Sequence, residues 1–68
     1  MKDIPAIIKA ARLRCGYTQQ ELGEKMGYEG QSAAVSVRRW EAGSAPIPIL
    51  KIRPLAAALD LTVDDLVP

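Results

Sequence analysis

The chain has 68 residues, 49% of them hydrophobic and 25% charged, with a formal net charge of +1. A chain this short buries only about 60% of the surface its unfolded form exposes, which leaves room for one small core and excludes a two-domain enzyme. With no histidine and one cysteine, Cys15, it has no His-based general base, no Ser-His-Asp or Cys-His arrangement, no zinc site and no internal disulfide. No catalytic residue, cofactor or metal is expected.

The alanine- and leucine-rich text, with only Tyr17, Tyr28 and Trp40 as aromatics, predicts an all-α fold of five short helices. The first opens near Asp3 and runs to about Cys15, with Pro5 in its first turn, where a missing N–H costs nothing, and Gly16 as its stop. Ile4, Ile8, Ala11 and Cys15 form its apolar stripe, Cys15 as a small core residue. The segment carries Lys2, Asp3, Lys9, Arg12 and Arg14 and lacks the apolar stretch of a signal peptide. No run in the chain nears the ~18 apolar residues of a membrane span. A soluble, cytoplasmic chain is expected, and a lone cysteine suits a reducing compartment.

The second helix has the clearest start. Thr18-Gln-Gln-Glu21 is a capping box, with Tyr17 and Leu22 placed as a hydrophobic staple and Gly27 as the stop. Leu22 and Met26 point inward. Gly23 lies between them, where a bare backbone lets another helix approach.

A polar turn follows, then a third helix from Ala33 to Ala42 that Ser32 can cap and Gly43 can end. At 100° per residue, Ala33, Val37, Trp40 and Glu41 share one side. The other presents Val35, Arg38 and Arg39, extended by Gln31 and Ser32. Ser44 to Pro48 reads as a loop. A fourth helix is predicted from about Ile49 to Leu59, striped by Ile49, Ile52, Leu55, Ala56 and Leu59. Pro54 either delays its regular part or kinks it. Thr62-Val-Asp-Asp65 caps a last turn through Leu66 and Val67. The charges are segregated: Arg38, Arg39, Lys51 and Arg53 fall in one stretch, while the acids gather at Glu21, Glu24, Glu29, Asp60, Asp64 and Asp65. One basic face for a polyanion is compatible with the small net charge.

Two short helices joined by a turn, the second basic outside and apolar inside, meet the physical requirements of a DNA reader. The blocks Arg12, Gly16-Tyr-Thr-Gln-Gln-Glu-Leu22, Met26-Gly27, Arg39-Trp-Glu-Ala-Gly43 and Leu55-Ala-Ala-Ala-Leu59-Asp-Leu-Thr-Val-Asp-Asp-Leu66 stand in this order. Over residues 8 to 67 they resemble the helix-turn-helix family of phage repressors, Cro proteins and XRE-type bacterial regulators. The resemblance implies a compact five-helix, lambda-repressor-like domain spanning residues 1 to 68, with its helix-turn-helix at about 18 to 42. It also implies sequence-specific binding of double-stranded DNA in the major groove, usually as a homodimer on a palindromic operator, in the cytoplasm or on the nucleoid of a bacterial host.

The resemblance suggests roles for particular residues. Gln19 looks like the family's glutamine that touches a backbone phosphate, with Thr18 and the free amides beside it; the alternative is that both only start a helix. Arg39 matches a position that often reaches base edges, and Arg38 lies at its flank; the alternative is a solvated face. Gln31, Ser32, Ala34, Val35 and Ser36 are further groove candidates, against ordinary capping and propensity. Arg12 and Glu41 both point inward and demand pairing; in the family they form a partly buried salt bridge. Trp40 reads as core, since single-strand stacking platforms need several exposed aromatics.

Two departures stand out. Gly27 and Gly43 are separated by about one helical turn more than in the family, so the extra residues lengthen either the turn or the third helix. The loop after that helix lacks the usual basic residues, leaving Ser44 and the backbone for phosphates, with Lys51 and Arg53 as compensation or as plain solvated charges. Ile47, Ile49 and Leu50, with Leu61, Leu66 and Val67, exceed what a loop needs; they form a two-fold interface or close over the core. The function expected is a repressor-like or Cro-like transcription regulator. The alternative is a protein-interaction module on the same fold, such as an antitoxin, antirepressor or co-regulator.

Overall fold

A computed structural model describes residues 2–68, and these form an all-α fold without strands. Helix α1 spans Ile4–Cys15, α2 Gln19–Lys25, α3 Gln31–Ala42 and α4 Ile52–Ala58; 3-10 turns occupy Ile49–Lys51 and Val63–Leu66. The expected count of five helices is therefore corrected to four α-helices and two 3-10 turns. Residues 49–51, predicted as the start of the fourth helix, wind as 3-10. Pro54, third in α4, supplies no N–H to the first ladder bonds, so the regular helix begins only at Ile52.

The helix ends follow local hydrogen bonds. The Asp3 carboxylate accepts from the Ala6 amide at 3.2 Å. The Thr18 hydroxyl accepts from the Glu21 amide at 3.0 Å while the Glu21 carboxylate accepts from the Thr18 amide at 2.8 Å. The same reciprocal pair joins Thr62 and Asp65. At the far end of α2, with Gly27 at φ 94°, the Gly27 amide donates to Glu24 O and the Tyr28 amide to Gly23 O. These bonds satisfy carbonyls that a helix terminus otherwise leaves unpaired.

The core is Ile8, Ala11, Leu22, Met26, Val37, Trp40, Leu55, Ala56, Leu59 and Leu66. Helices α2 and α3 are packed backbone to backbone. A Cβ on Gly23 would overlap the carbonyl of Ala33 and lie 2.6 Å from its Cα, so glycine here is what permits the close crossing. Tyr28 meets Trp40 edge to face at 5.9 Å.

Several expected positions are corrected. Cys15 is exposed: it ends α1 at the margin of the core, and its thiol reaches only the Leu59 carbonyl, at 3.5 Å. Ile49 is 82% exposed because its 3-10 turn carries it off the α4 stripe. Ser32 does not cap α3. The helix starts at Gln31, two residues earlier than expected, with Gly30 before it and no side-chain cap. The Ser32 hydroxyl instead donates to Glu29 O at 2.6 Å. Met26 to Gly30 form the turn, and the residues from Gln31 onward belong to α3.

Candidate nucleic-acid interface

Helix α3 has two unlike sides. Ala33, Val37 and Trp40 are buried, while Gln31, Ser32, Arg38 and Arg39 are exposed, and Ala34, Val35 and Ser36 are half-buried. Winding at 100° per residue aligns Gln31, Val35, Arg38 and Arg39 along the outer stripe and sets Ala34 and Ser36 to its two flanks. Neither exposed arginine has an acidic partner within ion-pairing distance among the described residues. Each therefore presents its full guanidinium, a planar fork of donors suited to a guanine edge or a phosphate.

The inner side is tied down by charge as well as by packing. Arg12 Nε donates to Glu41 Oε2 at 2.6 Å, its Nη2 to Glu41 Oε1 at 3.1 Å, and its Nη1 to the Tyr17 carbonyl at 2.9 Å. Both side chains are nearly solvent-free. A bidentate pair with the third guanidinium nitrogen also bonded offsets the desolvation of both ions. Gln19 joins this network through a 3.3 Å bond from Nε2 to Glu41 Oε1. Its amide is thus turned toward the bridge rather than fully toward solvent.

The start of α2 is electrostatically mixed. Thr18 is exposed, but its hydroxyl is engaged by Glu21, whose carboxylate sits at the same end. The bond from the Thr18 amide, then that with its hydroxyl, holds the Glu21 carboxyl below its ordinary 4.5. A negative charge at that point competes with a phosphate. At the end of α3 the Ser44 amide donates to Arg39 O at 3.0 Å, and its hydroxyl lies 3.4 Å from the same oxygen. Ser44 is therefore part of the helix stop.

Of the two cations after the loop, Arg53 is exposed and Lys51 is half-buried. Lys51 Nζ donates to the Met26 carbonyl at 2.8 Å and stands 5.1 Å from the centre of the Tyr28 ring. This use of Lys51 had no signal in the sequence, since it joins residues 25 positions apart. Gln20 also acts at this turn: its Nε2 donates to Glu24 Oε2 and to Gly30 O, both at 3.0 Å, linking α2 to the turn. Its i, i+4 spacing to Glu24 was the available clue.

The apolar candidates separate. Leu66 belongs to the core, and Ile47 and Leu61 are half-buried against it. Val67 is half-buried, while Ile49 and Leu50 are 82% and 86% exposed. An open groove of about 550 Å³ runs between Ile4 and Pro5 of α1, the loop at Pro46 and Ile47, and the C-terminal Val67. Its lining is mainly apolar, with Ser44 as its one hydroxyl side chain. Among the described residues no cluster of metal-ligating side chains occurs, and no helix is long and apolar enough to cross a membrane.

A family model described as helix-turn-helix matches residues 8–66. No curated protein matches the chain.

Proposed function

Since the chain belongs to the helix-turn-helix family of DNA-binding regulators, we propose that it reads duplex DNA with the outer face of α3, as a repressor-like or Cro-like homodimer on a palindromic operator. The single observation that carries this reading is the division of α3. Its inner side is locked to α1 and α2 through Arg12–Glu41 and the Gly23 crossing, and its outer side offers Gln31, Arg38 and Arg39 to solvent around the half-buried Val35. A rigid mount with a free polar face is what a major-groove helix needs. Arg39 and Arg38 take guanine edges or phosphates, Gln31 suits adenine, and Val35 suits a thymine methyl. Ser32, Ala34 and Ser36 border this stripe. Thr18 and Gln19 approach the sugar-phosphate backbone only at the rim, and Ser44 through its backbone.

Residues 1 to 68 act as one DNA-binding unit in this reading. Two subunits pair through the exposed Ile49 and Leu50, with the half-buried Ile47, Leu61 and Val67 as further candidates, and place their α3 helices in half-sites about one helical turn apart. Regulation follows from occupancy of the site, in the cytoplasm or on the nucleoid of a bacterial host.

Selection from a randomised duplex library tests this, with Arg38→Ala/Arg39→Ala as control. The expected result is a palindromic consensus, lost in the double variant, with affinity falling steeply as salt rises. Failure to enrich any sequence at low salt would overturn the reading. The exposed Ile49 and Leu50 would then favour the protein-interaction alternative, an antitoxin, antirepressor or co-regulator.

A further inference from the structure

We propose that Lys51 is a positioning residue for the reading helix: its ammonium clamps the turn between α2 and α3 from outside and contacts no phosphate. The consequence for DNA rests on the reading above, whereas the clamp stands on the geometry of the free protein.

The turn from Met26 to Gly30 joins α2 to α3, and it needs fastening if α3 is to keep one orientation. Backbone bonds from Gly27 and Tyr28 close the end of α2 on the carbonyls of Glu24 and Gly23. The Met26 carbonyl accepts from Lys51 Nζ at 2.8 Å, which places a cation at the negative end of α2. The same ammonium lies 5.1 Å from the Tyr28 ring centre, and that ring packs edge to face on Trp40 of α3 at 5.9 Å. A continuous chain of contacts thus runs from the 3-10 turn, through Lys51 and Tyr28, to the inner side of α3. Tyr28 precedes the first residue of α3, Gln31, by only three positions, so a shift of the ring moves the end of α3 that carries Gln31.

The arrangement also tells against a phosphate role. Lys51 is half-buried and its ammonium is committed to a carbonyl and a ring, while Arg53 on α4 is exposed. Reaching a phosphate would require Lys51 to leave both partners, at the expense of the turn.

The test uses Lys51→Met, which keeps the apolar stem and removes the charge, and Lys51→Arg, which keeps a donor over the ring. Amide hydrogen exchange is measured on the free proteins, and duplex affinity is measured across a salt series on the selected site. For Lys51→Met, exchange should quicken in residues 28 to 34 and remain unchanged in the core amides of α1. Its affinity should fall between about two- and thirtyfold, the range for residues that act through another contact. The slope of log affinity against log salt should equal that of the wild type, and Lys51→Arg should restore both readouts. A slope shallower by about one would identify a phosphate contact and overturn the proposal; so would unchanged exchange in the turn. If Lys51→Met does not fold, Tyr28→Leu carries the exchange comparison, with faster exchange in residues 29 to 34 expected, and Lys51→Gln carries the salt comparison, with an unchanged slope expected. If the wild type selects no duplex, the DNA-reading conclusion fails while the exchange result still decides the clamp.

Discussion

Arg12 and Arg38 are the same residue type in opposite circumstances. Arg12 is 7% exposed, shares two hydrogen bonds with Glu41 and donates a third to a carbonyl; Arg38, on the far side of α3, is exposed. The difference separates what holds α3 in place from what α3 offers. A buried charge is tolerated only when it is fully partnered, so its value is structural. A free surface charge contributes little to folding and remains available to a polyanion. Substitutions on the inner side should therefore lower stability, and those on the outer side should lower binding alone.

The largest effect should come from breaking the inner pair on one side. Arg12→Leu leaves Glu41 buried and unpaired and should cost roughly 3–5 kcal/mol in chemical denaturation. The double variant Arg12→Leu/Glu41→Leu should recover most of that loss; equal losses in the single and double variants would refute the pairing argument. Next comes Gly23→Ala, whose methyl meets the backbone of Ala33 with no side chain able to yield. About 1–3 kcal/mol of destabilisation is expected, together with weaker DNA binding because α3 must shift.

On the outer side, Arg39→Ala should leave the denaturation midpoint within about 0.5 kcal/mol of the wild type. It should cost about 1–3 kcal/mol of discrimination at one base pair of the selected site. A stability loss as large as that of Arg12→Leu would erase the contrast between the two sides.

The smallest effects belong to the caps. Thr18→Ala should cost about 1 kcal/mol. Glu21 and Asp65 are both held below their ordinary values of 4.5 and 3.8 by bonds from the backbone and then the hydroxyl of Thr18 and Thr62, Asp65 also by Lys2. A lowered folded pKa means stability present above the ordinary value and lost as the pH falls through the lowered one. Urea midpoints measured from neutral pH downward should decline across that acid window, and less so in Thr18→Ala.

How legible a feature was depended on its reach along the chain. The starts at Asp3, Thr18 and Thr62 and the stops at Gly16, Gly27 and Gly43 could be read directly, because each rests on hydrogen bonds within a few residues. The inward stripe of α3 and the close approach at Gly23 followed from helical periodicity and side-chain size. Helix α3 starts two residues before the position its sequence predicts because Ser32, a good capping residue by type, spends its hydroxyl on Glu29. Leu66 and Ile49 look alike as apolar residues near helix ends, yet one is core and the other is exposed. That choice depends on which surfaces meet, and local preference carries no record of it.

The sequence by itself determined an all-α chain, its principal caps and stops, and the two sides of α3, since these follow from local hydrogen bonding and a 3.6-residue period. The tertiary structure alone decided that Lys51 closes the turn, that Gln19 faces Glu41, and that Ile49 and Leu50 stand free. Each of these depends on contacts between segments far apart in the chain, whose geometry arises only when the core is packed.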